Sequence, residues 1–194
     1  MENNKFISPG VFTSEHSDNF VNQITLPKML IIGHARHGKD SLAEIMRDEF
    51  GYTFQSSSQA ASDIFLYAAL KDKYGYQTSE ECFEDRVNHR AEWKQMICDY
   101  NVDDRARLAK GILEHSDCYV GMRDREEINE CMRQGLFDII IWVDASERLP
   151  LESPDSFNID KTCADIIVEN NETFEQFKEK VVRLGRFLKK NLIF

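Results

Sequence analysis

The stretch MLIIGHARHGKDSLAEIM, Met29 to Met46, decides how this chain is read. It opens with the apolar run Met29-Leu30-Ile31-Ile32, breaks at Gly33, crosses a short polar loop, and resumes with Leu42, Ile45 and Met46 at helical spacing. The pattern predicts a strand from Lys28 to Ile32 and a helix from Ser41 to Phe50, stopped by Gly51.

Between strand and helix lies Gly33-x-x-x-x-Gly38-Lys39. That spacing, in that context, belongs to a loop that wraps phosphate. Glycines let the backbone curl so that successive N–H groups point inward, and the helix N-terminus adds partial positive charge. Lys39 then reaches the β- and γ-phosphates. Residues 33–41 (Gly33, His34, Ala35, Arg36, His37, Gly38, Lys39, Asp40, Ser41) are therefore the candidate ATP-binding set. The hydroxyl that binds Mg²⁺ in such loops usually follows the lysine directly. Here Asp40 takes that place and Ser41 comes one position later, as the candidate metal contact.

Working outward, a short second strand is expected over Tyr52–Gln55 and a helix over Ala60–Leu70, followed by a loop from Lys71 to Ser79. Two further helical stretches run over Glu80–Tyr100 and Asp103–Glu114. Cys118–Met122 reads as a strand and Glu126–Arg133 as a helix. Phe137–Val143 is apolar almost throughout, as a strand buried on both faces requires. Arg148–Lys161, with Pro150, Ser153 and Pro154, reads as a loop or lid. Ala164–Val168 is a last strand, and Thr173 caps a final helix from Phe174 to about Lys190. Strands alternating with helices predict an α/β fold of three layers, a five-stranded parallel sheet with helices on both faces. Residues 1–27 stand apart: polar, without sustained period, and turned at Pro9-Gly10, they read as an extended arm before a domain spanning 28–194.

The chain has 194 residues, enough for one domain with a sizeable core. Its formal net charge of -10 argues against a protein that wraps a nucleic-acid backbone. A single phosphate ligand needs only a few local cations, so a mononucleotide stays compatible. There is no apolar run near membrane-spanning length. The five cysteines contain no Cys-x-x-Cys pair, which suits small buried apolar residues in a reducing cytoplasm.

Gly38-Lys39-Asp40-Ser41 resembles the Gly-Lys-Asp-Thr/Ser form of the loop in phage deoxynucleoside monophosphate kinases, a P-loop family; phosphomevalonate kinases share it. The resemblance extends over roughly residues 28–190. It implies ATP, Mg²⁺ and a deoxynucleoside monophosphate acceptor, in phage nucleotide metabolism in the host cytoplasm. In CYVGMRDREEINECMRQG, Arg123 and Glu127 fill the family's Arg and Glu positions, whereas its Asp position is Gly121. Asp124 is the nearest replacement. Arg148, in the lid, is a candidate catalytic arginine beside Lys39 and Arg123. On the acceptor side the candidates are Asp63, Arg90, Arg123 and Glu127. Two of them have a plainer alternative: an ion pair with Glu126 or Glu127 for Arg123, and a solvated helix face for Arg90. Arg36 either touches phosphate or faces solvent, His34 and His37 read as spacers, and Trp93 and Trp142 read as core. Asp144, ending an apolar strand, ranks below Ser41 as a metal contact.

The arm segment FISPGVFTSE, Phe6 to Glu15, resembles the Ser-Pro-Gly-Val motif of contractile-phage tail sheath proteins. It implies docking of residues 1–27 to a phage structural protein, or self-association. Two alternatives to the monophosphate kinase follow: a virion-associated structural protein with a kinase-like fold, and a small-molecule kinase of phosphomevalonate or dephospho-coenzyme A type.

Overall fold

β1, Met29–Ile32, is buried along its whole length, and its side chains alternate between two cores. Met29 and Ile31 join Leu42, Met46, Phe177 and Val181 on one face. Leu30 and Ile32 join Ala60, Leu66, Trp93, Ile112 and Ile128 on the other. A strand that buries both faces must lie inside a sheet covered on both sides. Each such side chain removed from water contributes about 1.5–3 kcal/mol, which makes this strand the anchor of the fold.

The structure, a computed structural model, describes residues 26–153 and 157–191. Five parallel strands form one sheet: β1, then β2 (Phe54–Ser56), β3 (Cys118–Val120), β4 (Ile139–Asp144) and β5 (Ile166–Glu169), in the spatial order β2-β3-β1-β4-β5. Leu30 pairs with Tyr119 on one side and Ile140 on the other. Helix α1 (Lys39–Phe50) and the C-terminal helix (Phe174–Asn191) cover one face. The opposite face is covered by α2 (Ser57–Ala61), a π-helical turn (Ser62–Leu66), α3 (Tyr67–Tyr74), α4 (Ser79–Asp85), α5 (Arg90–Tyr100), α6 (Arg107–Leu113) and α7 (Arg125–Arg133). The C-terminal helix is α8. This is the expected three-layer α/β architecture. Because the strands are parallel, the loops leaving β1, β3, β4 and β5 converge at the carboxyl edge of the sheet, where ligands bind in open α/β folds.

Local departures from the sequence reading have physical causes. The helix expected to end at Leu70 continues to Tyr74 and stops at Gly75, whose φ of 79° suits a left-handed cap. The single helix expected over Glu80–Tyr100 is two. Asp85 accepts a hydrogen bond from Asn88 at 2.6 Å and pairs with His89 at 3.0 Å, local bonds that compete with a continuous helix. α1 begins at Lys39, two residues earlier than expected. Trp93 and Trp142 are core residues, as read. Of the cysteines, Cys82, Cys118 and Cys131 are buried as expected, but Cys98 is exposed and Cys163 half-buried. Of the arm, only Leu26 and Pro27 are among the described residues. No described helix is long and apolar enough to cross a membrane.

Candidate active site

The loop between β1 and α1 curls because three of its residues take backbone angles that most side chains resist. Gly33 has φ 140°, and a Cβ there would stand 2.4 Å from the Val143 carbonyl oxygen of β4. Gly38 has φ 102°, and a Cβ there would stand 2.4 Å from Asn170 Nδ2. Between them Arg36 adopts φ 65°, the only non-glycine residue with positive φ among the described residues. Such angles cost about 1–3 kcal/mol each for a residue with a side chain and persist where the surroundings impose them. The Arg36 side chain is exposed.

Lys39 begins α1 with its side chain only 9% exposed. Its Nζ donates to the His34 carbonyl at 2.7 Å, so the ammonium folds over the loop. Burial lowers its pKa, which the nearby carboxylates of Asp40 and Glu152 oppose and Arg123 reinforces. Asp40 is exposed and Ser41 half-buried on the first turn of α1.

His34 and His37, expected to be spacers, instead fasten the loop to the segment after β4. The Ala145 N–H donates to His37 Nδ1 at 3.0 Å, leaving the proton of a neutral ring on Nε2, 3.4 Å from the Pro150 carbonyl. The Glu152 N–H donates to His34 Nδ1 at 3.1 Å. The His34 ring lies 4.5 Å from that of Phe157 and edge-on to Trp142 at 5.5 Å. Both imidazoles have lowered pKa values, chiefly from burial.

Glu152 then enters the loop. One carboxylate oxygen accepts from the Ala35 N–H at 2.6 Å, and the other accepts from Arg123 Nη1 at 2.5 Å. An anion thus already sits between a loop amide and a guanidinium, near Lys39. This arrangement fits the polyphosphate that the spacing implied: the Ala35 amide and Arg123 bind one carboxylate, and its charge acts on Lys39 nearby. Arg123 pairs with neither Glu126 nor Glu127, the alternative partners considered for it. No pattern marked Glu152, a polar residue in a Pro-containing loop, 117 positions from Ala35.

The remaining candidates are placed as follows. Arg148 donates from Nε to the Asn170 carbonyl at 2.6 Å, and Asn170 Nδ2 donates to the His37 carbonyl at 2.9 Å. Arg148 is thereby tied to the rear of the loop through Asn170. Asp144 is buried; although burial opposes its charge, Lys161 and the Ser146 N–H hold its pKa below the usual carboxylate range. Asp63 is exposed and accepts from Gln55 at 3.0 Å and Gln59 at 3.2 Å. Glu127 is joined to Asn101 Nδ2 at 2.8 Å, and burial raises its pKa. Its contacts run to the α5–α6 connection and not to the loop. Asp124 is engaged away from the loop: one oxygen caps α7 through the Glu126 and Glu127 N–H groups, and the other accepts from Asn158 Nδ2 at 2.9 Å. Gly121 has φ 96°, a conformation that disfavours any side chain, Asp included.

Arg90 is exposed at the start of α5. Beside it the structure adds Arg86, which the sequence reading passed over. Arg86 is half-buried, its guanidinium lies 3.8 Å from the centre of the Phe83 ring, and it donates to the Phe83 carbonyl at 2.8 Å. Burial lowers its pKa, Arg90 adds repulsion, and Asp40 of the loop adds attraction. Neither Arg86 nor Arg90 has an ion-pair partner among the described residues.

No family model matches the chain, and no curated protein matches it. Among solved structures, dephospho-CoA kinase from Campylobacter jejuni aligns over 84% of this chain and 98% of its own, with a TM-score of 0.50 and 15% identity. Shikimate kinase from Bacteroides thetaiotaomicron aligns over 85% of this chain and 99% of its own, with a TM-score of 0.47 and 11% identity. A gluconokinase from Sinorhizobium meliloti 1021 aligns over 86% and 95%, with a TM-score of 0.45 and 12% identity. Sheet order, loop and the first of these similarities agree: the chain has the three-layer α/β P-loop fold.

Proposed function

We propose that the protein is an ATP-dependent kinase that transfers the γ-phosphoryl group to a deoxynucleoside monophosphate. The observation that carries this reading is the loop itself, curled at Gly33 and Gly38, with Lys39 folded over it and the Ala35 amide and Arg123 both turned to one carboxylate, that of Glu152. When bound, ATP supplies the phosphoryl group and Mg²⁺ neutralises charge between the phosphates. The chain's own residues then position and stabilise. The loop amides and Lys39 hold the donor phosphates, and the Ser41 hydroxyl is the metal contact. Arg123 faces the transferred group, where preorganised positive charge lowers the barrier most.

Arg86 and Arg90 support an acceptor that is itself anionic. The neighbouring Arg86 and Arg90 charges repel each other, Asp40 offsets this without forming an ion pair, and a phosphate monoester relieves it. The Gly38-Lys39-Asp40-Ser41 resemblance favours a deoxynucleoside monophosphate, with phosphomevalonate, whose kinases share this loop form, as the competing acceptor. A coupled assay of ADP release against a panel of deoxynucleoside monophosphates, with dephospho-coenzyme A, phosphomevalonate, shikimate and gluconate as competing acceptor types, tests the assignment. Stimulation confined to the last four, or to none, removes it. Residues 1–27 are a proposed attachment segment for a phage structural protein or a second copy, on the strength of apolar Phe6, Ile7, Val11 and Phe12. Co-sedimentation of the full chain and a chain lacking residues 1–25 with phage particles, together with the oligomeric state of each, tests it.

A further inference from the structure

The Glu152 carboxylate does what a bound phosphate would do. One oxygen takes the Ala35 amide at 2.6 Å and the other the Arg123 guanidinium at 2.5 Å. The side chain is only 18% exposed, and its negative charge reaches Lys39. The contact is held in register from both ends of the loop: the Glu152 amide on His34, and the Ala145 amide and Pro150 carbonyl on His37. Glu152 thus meets the loop amide, and the half-exposed Arg123 beside it, from within the chain.

We propose that Glu152 is an intramolecular plug of the phosphate loop, an autoinhibitory carboxylate that a nucleotide's phosphates must displace from Ala35 and Arg123. The inference rests on reading residues 33–41 as a phosphate loop. A tethered carboxylate is present at high effective concentration and competes with every incoming phosphate. The two anions exclude each other from the seat, since like charges at such distances oppose each other. Apparent nucleotide affinity is therefore the intrinsic affinity reduced by the fraction of molecules with the plug withdrawn. Displacement also releases Arg123 from its ion pair at the moment phosphate arrives, so its charge becomes available only to the loaded site.

The test is calorimetric titration of the full-length protein with ATP and, separately, with inorganic triphosphate, for the parent, Glu152→Gln, Glu152→Ala and Lys39→Met, each first checked for folding by thermal melting. The plug predicts that both Glu152 variants bind both probes more tightly than the parent, by on the order of tenfold. Binding by the Glu152 variants with none by the parent supports the plug equally. If the parent binds in a Lys39-dependent way and the Glu152 variants bind with equal or lower affinity, the plug is wrong while the phosphate-loop reading stands. If no folded variant binds either probe, the loop reading fails and the plug with it.

Discussion

Asn170 seals the back of the phosphate loop. Its Nδ2 donates to the His37 carbonyl at 2.9 Å, and the same atom occupies the space that a Cβ on Gly38 would enter, at 2.4 Å. Gly38→Ala therefore meets a steric obstacle in addition to an unfavourable φ of 102°. The substitution is expected to cost about 1–3 kcal/mol of stability and to weaken ATP binding. Asn170→Ala opens the space but leaves the buried His37 carbonyl unpaired, at a cost of about 1–3 kcal/mol. Thermal melting of Gly38→Ala, Asn170→Ala and the double variant measures the coupling. Strict additivity would show that the contact between the two residues is not what constrains Gly38.

Ser41 and Asp144 are expected to separate by function. Ser41 lies on the first turn of the helix that follows the loop, whereas buried Asp144 is held by Lys161 and the Ser146 amide. Ser41→Ala is expected to raise the Mg²⁺ concentration giving half-maximal rate, with little change in melting temperature. Asp144→Asn leaves Lys161 without its partner and is expected to lower the melting temperature with a smaller effect on Mg²⁺. Metal titrations of the two variants check this; a larger Mg²⁺ effect at Asp144 would reverse the assignment.

The histidine fastening is pH-sensitive, with a definite sign. His34 and His37 each accept an amide hydrogen at Nδ1, which requires the neutral ring. Burial lowers both pKa values from the ordinary value of 6.5. Around them, Glu152 and Asp144 favour protonation, while Lys39, Arg148 and the His34–His37 interaction oppose it, so burial decides the direction. Because the folded value is the lower one, the unfolded chain takes up protons first as pH falls through about 6.5. Stability from this source is intact above that pH and declines below it. Melting temperature should fall more steeply between pH 7.5 and 5.5 for the parent than for a His34→Gln, His37→Gln variant. Parallel slopes would mean that neither ring titrates in this way.

Arg86 is expected to serve the acceptor. Arg86→Ala should raise KM for the stimulating monophosphate by on the order of tenfold or more, with little change in KM for ATP, because a charge-assisted hydrogen bond contributes about 1.5–3 kcal/mol. Steady-state kinetics with each substrate varied in turn measures this, and an increase confined to KM for ATP would place Arg86 on the donor side.

The phosphate loop was legible because three independent signals coincide between Met29 and Met46: an apolar run, glycines at fixed spacing with lysine, and helical periodicity. The buried β4 was legible because Ile139-Ile140-Ile141 admits little else. The contacts that close the site were not legible. Glu152, Asn170, His34 and His37 are polar residues whose bonds between the loop and the segments after β4 and β5 span more than a hundred positions, and no local period records such pairs. Arg86 was hidden for another reason. It stands where helical periodicity continues, while the structure breaks the helix beside it at Asn88 and His89 through side-chain bonds to Asp85. Gly121 was visible as a departure from the resemblance, but its φ of 96°, which disfavours any side chain, was not.

The central claim is phosphoryl transfer at this loop, and Lys39 tests it most directly. The measurement is Mg²⁺-dependent ADP release by the parent and by Lys39→Met, each with the panel of deoxynucleoside monophosphates. Methionine keeps an apolar side chain in the buried stem position while removing the ammonium over the loop. The account predicts release stimulated by at least one monophosphate in the parent, and a drop of on the order of a hundredfold or more in a Lys39→Met protein that still melts cooperatively near the parent temperature. A folded Lys39→Met protein that turns over monophosphate as fast as the parent, or a parent that no monophosphate stimulates, would contradict it.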